Sequence, residues 1–152
     1  MTFATADDVL ADYLSVLGWG VIVVVVTLIV LAAANKDTQS EIPVSKSIKI
    51  GIFAFLLLAF TSYRETYGSF ITADVGKDEV RLNFAGSLYH PVALKLEQIR
   101  EVVVGFPGKG TPHSCYVRFN TVSGDSFRSF PLQGTGCNDQ RMQIIALMQQ
   151  RY

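Results

Sequence analysis

Several kinds of chemistry are missing from this chain. It has two cysteines and two histidines. Two thiols cannot make the multi-bridge framework of a small secreted scaffold. Zinc wants four converging nitrogen or sulfur ligands in close-spaced pairs. The complete supply is His90, His113, Cys115 and Cys137, and only His113 and Cys115 are close neighbours. Thirteen basic residues balance thirteen acidic ones. No Lys/Arg-rich run follows a phosphate backbone, which argues against nucleic acid as a partner. Gly105-Phe106-Pro107-Gly108-Lys109-Gly110 is glycine-rich and basic. It lacks the GxxxxGK[ST] spacing and a following helix, so it reads as a strand-connecting turn. His113 and Cys115 would share one face of a strand, but no third residue orients them as a nucleophile pair. Nothing here specifies a reaction, and no cofactor is expected.

The chain is rich in uninterrupted hydrocarbon. Val21 to Ala34 reads VIVVVVTLIVLAAA. Extended back through Val16, Leu17, Gly18, Trp19 and Gly20, this run matches the ~20 apolar residues that carry an α-helix across a ~30 Å bilayer core. Thr5-Ala6-Asp7-Asp8 before it fits a capping box, with Thr5 as N-cap and Asp8 three positions on. Trp19 suits the aromatic belt at headgroup level. The segment is expected to stay in the protein, because Asp7, Asp8 and Asp12 stand where a cleavable signal carries positive charge.

A second apolar run, Ile48 to Tyr63, follows a short polar loop. Its helix is expected to start near Pro43, since proline is tolerated at the first helical position. Lys49 can snorkel to the headgroups, and Tyr63 and Arg64 suit the opposite interface. The rival reading is a buried or interfacial helix. Small residues flank the loop, and close helix approach in lipid depends on them. Ala32 and Ala33 on one helix and Gly51 and Ala54 on the other are therefore expected at the tight end of a hairpin. No ionisable residue interrupts either apolar core, which argues against an ion or proton path within the hairpin alone. Lys36, Lys46 and Lys49 in the loop, against a first segment without Lys or Arg, place the loop in the cytoplasm and both ends outside by the positive-inside rule. Arg64, Lys77 and Arg81 pull the other way.

From Phe70 the hydrophobic period changes to two. Glu79 to Phe84 alternates polar and apolar, as a half-buried strand does. Phe70 to Val75 is its expected partner through Gly76-Lys77-Asp78. Ile99 to Phe106 is a β-branched run. Cys115, Val117 and Phe119 share one face of the next strand, which turns at Ser123-Gly124-Asp125 into Ser126 to Leu132. A final helix is expected with Asn138 as N-cap, Asp139 in its first turn and Met142, Ile145, Leu147 and Met148 on its apolar side. The expected domains are residues 1–67, a tail and two-helix transmembrane hairpin, and residues 68–152, a small α+β domain. In the second, one helix covers the apolar face of an antiparallel sheet. Cys115 and Cys137 make a disulfide if the domain lies in an oxidising compartment. Otherwise they are two reduced core thiols.

The order of elements over residues 68–152 resembles the bacterial PH-like domains of small two-span membrane proteins. The likeness lies in the strand pair Phe70 to Phe84, the segment Val92 to Val102, the hairpin Ser114 to Leu132 and the closing helix. The stretch is short for a seven-strand barrel, so a partial barrel is the alternative, and such relatives usually face the cytoplasm. The resemblance implies an inner-membrane protein that scaffolds, contacts lipid headgroups or binds partners, without catalysis. The leading expectation is a non-enzymatic accessory subunit docked on other integral membrane proteins, or on itself, through its hairpin. The alternative is a lipid-headgroup-sensing module using Lys77, Lys95 or Lys109.

Overall fold

The computed structural model describes residues 1–37, 44–107, 114–134 and 136–150. It is an α+β chain in which two long helices precede two antiparallel sheets and a closing helix. Two compact units divide it. One joins Met1–Val9 to Tyr67–Tyr152, and the other is Leu10–Thr66. This differs from the expected division at residue 67 in one respect. The first nine residues belong with the C-terminal unit rather than with the helices that follow them.

The helical unit holds most of α1 (Ala6–Asp37) and α2 (Val44–Tyr67). α1 starts as its sequence directs. The Asp8 carboxylate accepts the Thr5 N–H at 2.8 Å and the Thr5 hydroxyl at 2.7 Å, while the Asp8 N–H donates to Thr5 Oγ1 at 3.2 Å. Among the described residues one helix is long and apolar enough to cross a membrane, over Ala6–Val30. α2 is more broken. The uncharged run between Lys49 and Arg64 rises only about 21 Å at 1.5 Å per residue, short of the ~30 Å core. Pro43, the expected first turn of α2, lies outside the described residues.

The mixed unit is built on β1 (Phe70–Val75), β2 (Glu79–Phe84) and β3 (Val92–Lys95), in spatial order β1-β2-β3. Gly76 makes the first turn, its N–H donating to Glu79 O at 2.7 Å. A Cβ on Gly76 would stand 2.9 Å from that same oxygen, which explains the residue. After a 3-10 turn at Leu96–Gln98 come β4 (Ile99–Gly105), β5 (Ser114–Thr121), β6 (Ser126–Arg128) and the short β7 (Leu132–Gln133). β4 and β6 flank β5, and β7 also pairs with β5. β5 alternates without error, with Cys115, Val117, Phe119 and Thr121 buried.

Ser129 interrupts the run expected to continue to Leu132, and it ties the two sheets together. Its N–H donates to Val117 O at 2.7 Å, and its hydroxyl accepts the Val117 N–H at 3.0 Å. The next residue, Phe130, donates its N–H to Phe70 O at 2.8 Å, beside a parallel bridge between Phe70 and Ser129. A buried serine with its polar atoms satisfied can end a strand inside a core at little cost.

The outer edge of β1 is occupied by the first four residues of the chain. Phe3 N–H donates to Ile71 O at 2.7 Å, Ala73 N–H donates to Met1 O at 2.9 Å, and Thr2 pairs antiparallel with Thr72. Thr2 is exposed while Phe3 and Ala4 are both buried, and Phe3 enters the core with its ring 5.2 Å from that of Phe70, edge to face.

α3 (Cys137–Gln149) closes the unit. Its N-cap is Gly136, not Asn138, which is exposed in the first turn. The cap is backbone only, with Gly136 O accepting the Gln140 N–H at 3.1 Å. The apolar side also differs from expectation. Ile144 and Cys137 are fully buried and Ile145 and Met148 pack beside them, whereas Met142 is 55% exposed. Arg141 fixes the helix on β4, its Nε donating to Val102 O at 2.7 Å.

Replacing Phe3 with alanine should cost the mixed unit roughly 3–5 kcal/mol, the usual loss for a buried Phe. Hydrogen exchange should then quicken across Phe70–Val75. Unchanged protection of that segment would show that the pairing contributes nothing.

Candidate functional site

Each unit carries one surface that combines packing with chemistry. On the helical unit it is a pair of facing stripes. Tyr13, Leu17, Gly20, Val24 and Leu28 are the less exposed positions of α1, at helical spacing. Gly51, Phe55, Leu58 and Ser62 are their counterparts on α2. Tyr13 and Tyr63 meet edge to face at 6.0 Å, and the Tyr13 hydroxyl donates to Ala59 O at 3.5 Å. At Gly20 a Cβ would come within 2.7 Å of Leu58 Cδ2, so this is a place of close helix approach. At Gly51 a Cβ would meet Leu28 at 3.4 Å, an ordinary contact.

The expected tight end is therefore partly redrawn. Gly51 faces α1, but Ala33 and Ala54 are exposed, and the Ala32 side chain lies outside the described residues. The close pair Gly20–Leu58 lies nearer the other end of the helices. The reason is rotational: Ala54 lies three positions after Gly51 but one before Phe55, off the stripe. Sequence reasoning counted small residues without fixing the helix phase. The 4-3-4 spacing of Tyr13, Leu17, Gly20 and Val24 could have supplied it. Of the residues expected at the interface, Trp19 is 69% exposed, Lys49 and Arg64 are exposed, and Tyr63 is half-buried against Tyr13.

On the mixed unit the outer face of β4-β5-β6 carries Glu101, Tyr116, Arg118, Asn120 and Arg128. Tyr116 lies against Gly105, its cross-strand partner, where a Cβ would overlap the ring. Arg118 donates to the Tyr116 hydroxyl at 2.6 Å, with its guanidinium carbon 5.1 Å from the ring centroid. Arg128 stands opposite Arg118 in register. The Asn120 amide donates to Glu101 at 3.0 Å, and Arg100 does the same at 3.0 Å. These donors favour the ionised form, the Asn120 hydrogen bond most of all, and hold the Glu101 carboxyl below the usual glutamate range.

Cys115 and Cys137 are bonded, with their Cα atoms 6.0 Å apart, which ties the middle sheet strand to the first residue of α3. Among the described residues no group of three or more His, Cys, Asp and Glu side chains could hold a metal ion. His90 is exposed, and His113 and Lys109 lie outside the described residues. Lys77 is exposed on the β1–β2 turn, and Lys95 sits 3.9 Å from Glu97. No family model, curated protein or solved structure matches this chain.

Two outcomes test these contacts. Gly20→Val should lower the thermal midpoint of the helices in detergent micelles, by an overpacking cost of about 1–3 kcal/mol. Gly18→Val, at a glycine with nothing within 4 Å, should leave the midpoint unchanged. Replacing Cys115 and Cys137 by serine releases a crosslink spanning 22 positions and should cost about 3 kcal/mol. Denaturant titration with and without reductant reads that loss.

Proposed function

We propose that the chain is a non-enzymatic, membrane-anchored accessory subunit. In this reading α1 and α2 cross the bilayer as a hairpin and dock on other integral membrane proteins or on a second copy, and the mixed unit is displayed at one side. One observation carries the hairpin. Residues 1–4 and β1 belong to a single folded unit, and α1 and α2 lie between them in sequence. If α1 crosses, the chain must cross back before Phe70, and α2 is the segment available. Its short uncharged run is then completed by Lys49 snorkelling at one end and by Tyr63 and Arg64 at headgroup level at the other.

The disulfide supports an oxidising compartment for the mixed unit, hence the extracytoplasmic side of the inner membrane. The loop lysines Lys36, Lys46 and Lys49 support the same orientation by the positive-inside rule. Seven strands in two antiparallel sheets, closed by one helix, support the PH-like reading of that unit. The docking role follows from what the helices leave uncovered. Each uses one stripe for its neighbour, while Val23, Ile29 and Val30 on α1 and Ile50, Phe53 and Leu56 on α2 are at least 59% exposed. Lipid alone can cover such faces, but two helices bury little protein surface, and partner helices add packing that lipid does not.

Mild extraction of the tagged protein from its native membrane tests the reading. A defined assembly of integral membrane proteins, or a stable homo-oligomer, is the expected product in mass spectrometry and light scattering. A monodisperse monomer without companions would refute the docking role.

A further inference from the structure

The loop between β2 and β3, Ala85 to Pro91, reads AGSLYHP and contains no Lys, Arg, Asp or Glu. Its conformation is fixed from within. The Tyr89 N–H donates to Gly86 O at 3.0 Å, and the Tyr89 ring lies 5.9 Å from that of Phe84. Gly86 is buried beneath the turn. The result is a held turn that presents Leu88 outward at 75% exposure, above any other large apolar side chain of the described residues. A single exposed leucine is ordinary by itself; what sets this one apart is the uncharged, internally bonded turn that carries it and the end of the sheet where that turn lies.

The position of the loop indicates what Leu88 meets. Phe84, the last residue of β2, pairs with Phe70, the first of β1. The neighbouring Ile71 carbonyl accepts the Phe3 and Ala4 N–H groups just before α1 begins. The loop therefore springs from the end of the sheet at which the chain leaves for α1 and returns from α2. Arg64, suited to headgroups, precedes Phe70 by six residues, a tether of at most about 15 Å. The other end of β1 and β2 carries the charged turn Gly76-Lys77-Asp78, roughly 17–20 Å away.

We infer that the Ala85–Pro91 loop is a further membrane contact, in which Leu88 enters the lipid interface of the bilayer that α1 crosses, flanked by Tyr89 and His90. This rests on the membrane-spanning reading of α1 proposed above. A neutral turn with an apolar tip beside an aromatic residue matches the interfacial layer, where amphipathic rings collect. The contact adds a third attachment of the mixed unit to the bilayer, beside its two chain connections to α1 and α2.

Trp19 is the single tryptophan, and this makes the test direct. In the Trp19→Phe background, Leu88→Trp and Lys77→Trp place a lone indole at an exposed site at either end of the sheet. Full-length protein is reconstituted in phosphatidylcholine/phosphatidylglycerol vesicles with brominated acyl chains. Leu88→Trp should emit further to the blue and be quenched several-fold more than Lys77→Trp. Equal, weak quenching of the two, with strong quenching of Trp19 in the unchanged protein, would overturn the loop contact and leave the spanning reading intact. Escape of Trp19 from quenching as well would overturn both.

Discussion

The backbone hydrogen bonds between residues 1–4 and β1 constrain everything else in this molecule. They are ordinary antiparallel contacts at 2.7 and 2.9 Å. Their effect is topological. They make the first strand-like segment and the C-terminal sheets one folded unit, and they turn the helices between into an excursion that must end where it started. In the proposed reading, a crossing by α1 is matched by a return through α2. That proposed second crossing rests on the connection and not on α2 itself, whose uncharged run is too short to cross unaided.

Much of this was legible in the residues, because the signals were local. The hydrocarbon run of α1, its Thr5–Asp8 capping box, the error-free alternation of Glu79 to Phe84 and the parity of Cys115, Val117 and Phe119 each follow from neighbours a few positions apart. The pairing of residues 1–4 with β1 was not legible. The segment is too short for a period to declare itself, and its partner is some 70 residues on. The phase of the helix pair was hidden for a related reason. Glycine and alanine are common along both helices, and only the facing side chain tells which small residue lies under it. Gly20 does because of Leu58, and Ala54 does not. α3 was found, but its cap was misplaced. A side-chain rule looked for Asn138, while the backbone of Gly136 does the capping one residue before the disulfide.

The outer face of β4-β5-β6 is built from paired polar side chains. Arg118 donates to Tyr116, and Asn120 and Arg100 both donate to Glu101. Paired in this way, these side chains restrict one another's rotamers. The disulfide adds to this by fixing α3 across the middle strand, so the sheet it covers has little freedom to open.

The residues paired at the start of β1 also bear on how the protein reaches its final form. Met1 and Ala73 are 72 positions apart, a separation that ordinarily slows assembly, because long-range pairing must first overcome the entropy of a large ring. Here the intervening chain is two antiparallel rods. Once they lie side by side, most of that ring is no longer free coil, and the search shrinks to the few residues at the rod ends. Helix pairing ahead of strand pairing would lower the entropy cost of that long-range contact. Until then β1 exposes an unpaired edge, the kind of surface that invites foreign strands. In the folded chain that edge is covered by residues 1–4.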